Sequence, residues 1–150
     1  MFSDEQFMQR AIQLALLGGV SVAPNPMVGA VIVHNNRIIG EGYHQVFGSA
    51  HAEVNAVNSV EDESFLSEST IYVTLEPCAH FGKTPPCANL LVQKRFKRVV
   101  IGTVDPFAKV AGQGIRILQE AGIDCTIGVL ETECQAVNKR FFTFHQRERP

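Results

Sequence analysis

Apolar and polar positions alternate so as to divide this 150-residue chain into short elements punctuated by glycine, proline and asparagine. In "SDEQFMQRAIQLALLGG", Phe7, Ala11, Leu14 and Ala15 fall on one helical stripe. Ser3 and Gln6 have the spacing of a capping box, and Gly18-Gly19 stops the run, which predicts a first helix. After "APNP", the β-rich runs "MVGAVIV" and "RIIGEGY" flank "HNN", the pattern of a hairpin. Helix and strand then alternate. "HAEVNAVNSV" reads as a helix, "TIYVTL" as a strand, "ANLLVQKR" as a helix and "RVVIGTV" as a strand. "GIRILQEAG" follows as a helix, "DCTIGVL" as a strand and "ETECQAVNKRFF" as a last helix. Such repeats imply right-handed crossovers and parallel pairing. The expectation is an α/β chain with a five-stranded mixed sheet: a hairpin at one edge, three parallel strands, and helices on both faces.

Composition narrows the possibilities. Hydrophobic residues make up 45% and charged residues 19%, a globular balance that suits one domain over residues 1–150. A net charge of -2 lacks the broad basic field of a nucleic-acid binder, so a small-molecule partner is expected. The start, "MFSDEQFMQR", is acidic and amphipathic, unlike a signal peptide, and no apolar run is long enough to span a membrane. Four cysteines without a secretion signal point to reduced thiols and a cytoplasmic protein.

Two of those cysteines lie in "EPCAHFGKTPPC", residues 76–87, too rich in proline for a helix or a central strand. They could form a disulfide, be unrelated buried thiols, or hold a metal. His51 and Glu53, in "HAE", open the helix after the hairpin, while Cys78 leaves the next strand and Cys87 begins the next helix. In open α/β sheets, ligands sit beyond the carboxyl ends of the strands, where these residues fall. One histidine and two cysteines supply three zinc ligands and leave a fourth position to water, the composition of a catalytic site. Glu53 would be the carboxylate that takes a proton from that water.

H-x-E followed by P-C and a second cysteine resembles the signature of the zinc-dependent nucleobase deaminases. Eight residues separate Cys78 from Cys87 in place of the usual two. That longer segment, with "PNPMVGAVIV", "GEGYHQVFGSAHAEVNA", "YVTLEPCAHFGKTPPC" and "DPFAKVAGQGI", resembles the deaminase domain of riboflavin biosynthesis, the diaminohydroxyphosphoribosylaminopyrimidine deaminases. The resemblance implies a three-layer cytidine-deaminase-like fold and hydrolytic deamination of a pyrimidinone carrying a ribosylamino 5′-phosphate. Glu53 would serve first as base and then as acid. It also implies substrate contacts from Asn25, His44, His80, Lys83, Thr84 and Asp105, with Asn25 on the pyrimidine, Lys83 on the phosphate and Asp105 on the ribose. Relatives often have D-P-N-P where this chain has Asp105-Pro106-Phe107-Ala108, so an asparagine's polar contact is replaced by a phenyl ring. Many such relatives continue into a reductase domain, so a reductase domain or partner is expected, together with self-association into a homo-oligomer.

The remaining motifs carry plainer readings. "GQG" before a helix is a cap and turn, Cys125 and Cys134 are small core residues, and His34 and His145 need no functional role. Phe141, Phe142 and Phe144 suit core packing, with a docking surface as the other reading. Two other functions remain open from the residues: a zinc deaminase of a different base, nucleotide or tRNA, and a zinc-stabilised binding module without catalysis.

Overall fold

A computed structural model describes residues 1–22, 25–46, 48–79, 86–104 and 111–139. Helix α1 (Asp4–Leu16) starts at Ser3, whose hydroxyl accepts from Gln6 N–H while the Gln6 side chain accepts from Ser3 N–H. The hairpin strands β1 (Gly29–His34) and β2 (Arg37–Tyr43) turn at Asn35 and Asn36, both at positive φ (51° and 60°). Asparagine is among the residues that tolerate that conformation, which matches the right-handed strand twist. The chain continues through α2 (Ala52–Ser59), a 3₁₀ segment (Glu63–Glu68), β3 (Thr70–Leu75) and α3 (Cys87–Gln93). It ends with β4 (Arg98–Thr103), α4 (Gln113–Glu120), β5 (Asp124–Ile127) and α5 (Glu131–Val137).

The five strands lie in the order β2-β1-β3-β4-β5. β1 pairs antiparallel with both β2 and β3, whereas β3, β4 and β5 are mutually parallel. Strand side chains alternate between two cores, as a period of two requires. Ala30, Ile32, Ile71, Val73, Val99 and Ile101 face α2, α3 and α4. Val31, Val33, Tyr72 and Val100 face α1 and, through Cys134, α5. Three layers result. Among the described residues no helix is long and apolar enough to cross a membrane.

Element ends depart from the pattern for local reasons. β1 begins at Gly29 and not at Met27, because both backbone groups of Met27 are taken by the Asn138 side chain. β5 stops at Ile127, where Gly128 and Leu130 turn left-handed (φ 96° and 53°). α3 ends before Arg95, also left-handed (φ 61°). The 3₁₀ segment was not expected from "EDESFLSES"; Leu66 alone anchors it in the core, too little to register as a periodic stripe. The last helix spans Glu131–Val137 and ends at its C-cap Asn138, short of the run expected to Phe142; residues 140–142, Phe144 and His145 lie outside the described residues.

A polar cluster ties the start of the first helix to the middle of the sheet. Asp4 accepts two hydrogen bonds from the Arg98 guanidinium (3.0 and 2.8 Å) and one from the Tyr72 hydroxyl (2.6 Å). The Arg98 hydrogen bond leads in holding the Asp4 carboxyl below its ordinary value. A depressed carboxyl stabilises the fold at pH above its unfolded value, and that contribution disappears as pH falls through the folded value. Asp4→Asn is therefore expected to cost about 1 kcal/mol at neutral pH, a solvent-screened magnitude for a partly exposed pair. Urea unfolding of both proteins at pH 7 and at pH 3 should show the difference shrinking at the lower pH.

Candidate metal centre

Three element ends meet where β3 finishes. His51 is the N-cap of α2 and keeps extended backbone (φ -72°, ψ 167°), so its ring is carried on the helix start and is not buried beneath it. Asn55, one turn into α2, donates from Nδ2 to the Tyr43 carbonyl (2.9 Å) and to the Ala50 carbonyl (3.3 Å). Those bonds fasten the helix start to the end of β2. Contact between α2 and β2 is also direct: a Cβ at Gly42 would collide with Ala56 N and Ala52 O. Only glycine allows the helix backbone so close to the strand.

Cys78 is fixed from the other side. The Glu76 N–H donates to Thr103 O (2.9 Å), continuing the β3–β4 ladder past its last strand residue. Its carboxylate crosses to α4 and accepts from Gly112 N–H (3.0 Å) and Ile115 N–H (3.1 Å), filling the helix N-terminus where donors lack partners. Gly114 lets α4 press against the Pro77 carbonyl, where a Cβ would collide. Cys87 opens α3, and its backbone N–H donates to Cys78 Sγ (3.1 Å), while Ala88 N–H donates to Cys78 O (3.0 Å).

The result is a compact donor set. Nδ1 of His51 lies 3.8 Å from Cys78 Sγ and 3.4 Å from Cys87 Sγ, and the three ligand atoms lie within 4.8 Å of one another. Tetrahedral zinc with bonds of about 2.0–2.1 Å to nitrogen and about 2.3 Å to sulfur would hold N and S about 3.6 Å apart. The observed spacings bracket that value, and one imidazole with two thiols is a donor set zinc prefers. All four cysteines are free, so the disulfide alternative does not hold. Cys87 is buried, Cys78 half-buried and His51 exposed, so the group opens towards solvent on the imidazole side.

The electrostatics of the group favour a cation. The hydrogen bond between the thiols is the main cause that brings Cys78 down to about 4, and the same bond pushes Cys87 far up. His51 is raised, chiefly by its hydrogen bond to Cys78. One proton is thus shared between sulfurs that a divalent cation would strip of protons altogether. Glu53, on the first turn of α2, is 3% exposed. Burial pushes its carboxyl up to about 7, against the opposing pull of its own backbone N–H and, less strongly, of His51 and Cys87.

Beside this group stand Asn25 and His44. His44 is buried, with Nδ1 3.1 Å from the Ala50 carbonyl and Nε2 3.2 Å from Asn25 Nδ2. A carbonyl only accepts, so the ring proton sits on Nδ1, and Nε2 accepts from the Asn25 amide. Burial leads in lowering the His44 pKa. Its ring meets that of His51 edge-on at 5.5 Å between centroids. The fold thus brings together Asn25, His44, His51, Glu53, Cys78 and Cys87. His80, Lys83, Thr84 and Asp105, with Phe107, lie outside the described residues.

Glu76, Asn55 and Asn138 were not singled out from the sequence. Each acts on backbone far away or one turn along, a relation that residue spacing does not encode. The plainer readings stand where they can be seen: Gly112 (φ 91°) is the N-cap of α4, Cys134 is buried, and His34 stacks on Phe65 and pairs with Glu68.

A family model described as "Cytidine and deoxycytidylate deaminase zinc-binding region" matches residues 1–103. The chain belongs to this deaminase family. Within it, the diaminohydroxyphosphoribosylamino-pyrimidine deaminase of Buchnera aphidicola subsp. Schizaphis graminum is 48% identical over 139 residues, 93% of either chain. The riboflavin biosynthesis protein RibD of Actinobacillus pleuropneumoniae is 48% identical over 148 residues, 99% of this chain and 39% of that protein. Among solved structures, the Thermotoga maritima diaminohydroxyphosphoribosylaminopyrimidine deaminase/5-amino-6-(5-phosphoribosylamino)uracil reductase superposes with a TM-score of 0.89 at 46% identity. That match covers 98% of this chain and 42% of the other. This deaminase-family chain therefore spans nearly all of the Buchnera protein but about two fifths of the two longer relatives.

Because Gly42 sets the seat of the helix that carries His51 and Glu53, Gly42→Ala should displace that helix. The expected loss is about 1–3 kcal/mol of stability, the usual range for overpacking. Zinc should also be surrendered more readily. Urea unfolding and competition with a chromophoric chelator would measure the two effects.

Proposed function

We propose that residues 1–150 act as one zinc-dependent domain that hydrolytically deaminates a diaminopyrimidinone ribosylamino 5′-phosphate in riboflavin biosynthesis. The products are the aminouracil form and ammonia. One observation carries the reading: an imidazole and two thiols at zinc spacing, open on one side and flanked by a buried carboxyl, in a chain 48% identical to a relative named for that reaction.

His51, Cys78 and Cys87 would hold the metal. Zinc held by them supplies Lewis acidity that makes a water molecule a better nucleophile. Glu53 takes one proton from that water and places it on the ring nitrogen next to the carbon under attack. It then moves the remaining hydroxyl proton to the amino group, so that the carbon–nitrogen bond breaks and ammonia leaves. Water's oxygen becomes the new carbonyl, and the balance needs no other reactant. A buried carboxyl whose proton affinity has risen towards neutrality suits such two-way transfer.

Asn25 is assigned to the pyrimidine. Its amide nitrogen is committed to His44, which leaves Oδ1 to accept from a ring amino group. His44 acts by holding that amide in one orientation and lining the ring pocket. His80, Lys83 and Thr84 as substrate contacts, with Lys83 on the phosphate, and Asp105 on the ribose complete the proposal through their places in the family's sequence blocks. A reducing, cytoplasmic setting suits four free thiols. A reductase, in the same chain or as a partner, would consume the product; the Thermotoga maritima protein is named for both activities. Self-association is part of the same proposal.

The test is elemental zinc analysis on the sample assayed for ammonia release from the pathway substrate, cytidine, deoxycytidylate and tRNA. Turnover of the pathway substrate alone is the expected result; turnover confined to the other three would sink the reading. Glu53→Gln should keep zinc and thermal stability while kcat drops by about 10²–10⁴, the usual worth of a positioned proton carrier. Cys87→Ser should lose both zinc and stability, because metal binding and folding are linked.

A further inference from the structure

We infer that Asn138 is a positioning residue for the pyrimidine contact, holding Asn25 in place through the backbone of Met27. The inference rests on the proposed assignment of Asn25 to the substrate ring.

Asn138 follows α5 as its C-cap and is 3% exposed, so its amide must find partners within the protein. It finds both on one residue 111 positions away. Oδ1 accepts from Met27 N–H (2.8 Å) and Nδ2 donates to the Met27 carbonyl (2.9 Å). A single amide thus imitates the neighbouring strand that β1 lacks at this point, and it fixes the rotation of the Met27 backbone as well as its position.

Met27 is the point from which the turn is steered. Asn25 N–H donates to Val22 O (2.8 Å) at the start of the turn, and Val28 O accepts from His44 N–H (3.1 Å) at its end. Between them Pro26 has no N–H to give and a φ held by its ring. Among the described residues, Asn138 alone supplies hydrogen bonds to the backbone between those two points. Rotation of the Met27 backbone therefore passes through a stiff proline directly to Asn25, whose side chain meets His44 Nε2 at 3.2 Å. A purely cohesive role for Asn138 would need only packing against α5. Paired bonds to one backbone unit, two residues from a substrate-facing amide, set direction.

Asn138→Ala is expected to raise KM for the pathway substrate about tenfold, with kcat within about threefold and zinc stoichiometry unchanged. Amide exchange at Met27 should become at least tenfold faster. The deciding comparison is a double-mutant cycle: if Asn138 acts through Asn25, Asn25→Ala/Asn138→Ala should match the KM of Asn25→Ala alone. Should Asn138→Ala fail to fold, Asn138→Ser, whose shorter polar side chain loosens the pair to Met27 without burying a charge, should show the same direction. An unchanged KM, parallel loss of zinc, kcat and stability, or KM effects that multiply in the double variant would each overturn the inference. Met27 exchange needs no substrate, so it separates the two claims. Unaltered Met27 exchange in Asn138→Ala sinks the clamp, whereas absence of turnover in the unaltered chain sinks the functional reading.

Discussion

Two sulfurs and an imidazole nitrogen, the nitrogen 3.4 and 3.8 Å from the sulfurs, concentrate lone pairs in a way that folding alone does not favour. Protons can relieve the crowding only partly, which is why one thiol gives up its proton easily and the other clings to it. A divalent cation removes the conflict, because each lone pair then points at a positive charge. The surrounding structure can be understood as the means of bringing these three atoms together and preventing them from moving apart. His51 comes from the start of one helix, Cys87 from the start of another, and Cys78 from a strand that has just run out.

None of those ends is left to the metal to organise. Asn55 fastens the first helix to the hairpin, Glu76 spans from the strand to α4, and the Cys87 N–H reaches the Cys78 sulfur. Outer contacts of this kind orient metal ligands and tune them. They also place Glu53 beside the thiols, where burial raises its proton affinity. The same geometry would therefore serve both the ion and the proton transfer proposed for Glu53.

The sheet was legible because each strand is bounded by glycine, proline or asparagine and each crossover is a short amphipathic helix. The ligand set was legible for a different reason: H-x-E and the two cysteines fall at element ends on one edge of an α/β sheet, where chemistry collects. What escaped were contacts between a side chain and a distant backbone. Nothing in "LEPC" says that Glu76 reaches Gly112, and nothing in "AVNKR" says that Asn138 completes the ladder at Met27. Those pairings exist only after three layers have stacked. They also explain why β1 starts two residues later than its hydrophobic run suggests.

Gly42 lies on the face of β2 beneath α2, and there helix backbone meets strand backbone with no side chain between. Most helices ride on sheets over a cushion of methyl groups that can rearrange. At Gly42 backbone touches backbone, so α2 has almost no compressible material at that point. The imidazole and the carboxyl of "HAE" are consequently held to the sheet at a point that has little room to give. A scaffold of this kind can be refitted to new substrates at its margins while its chemistry stays put.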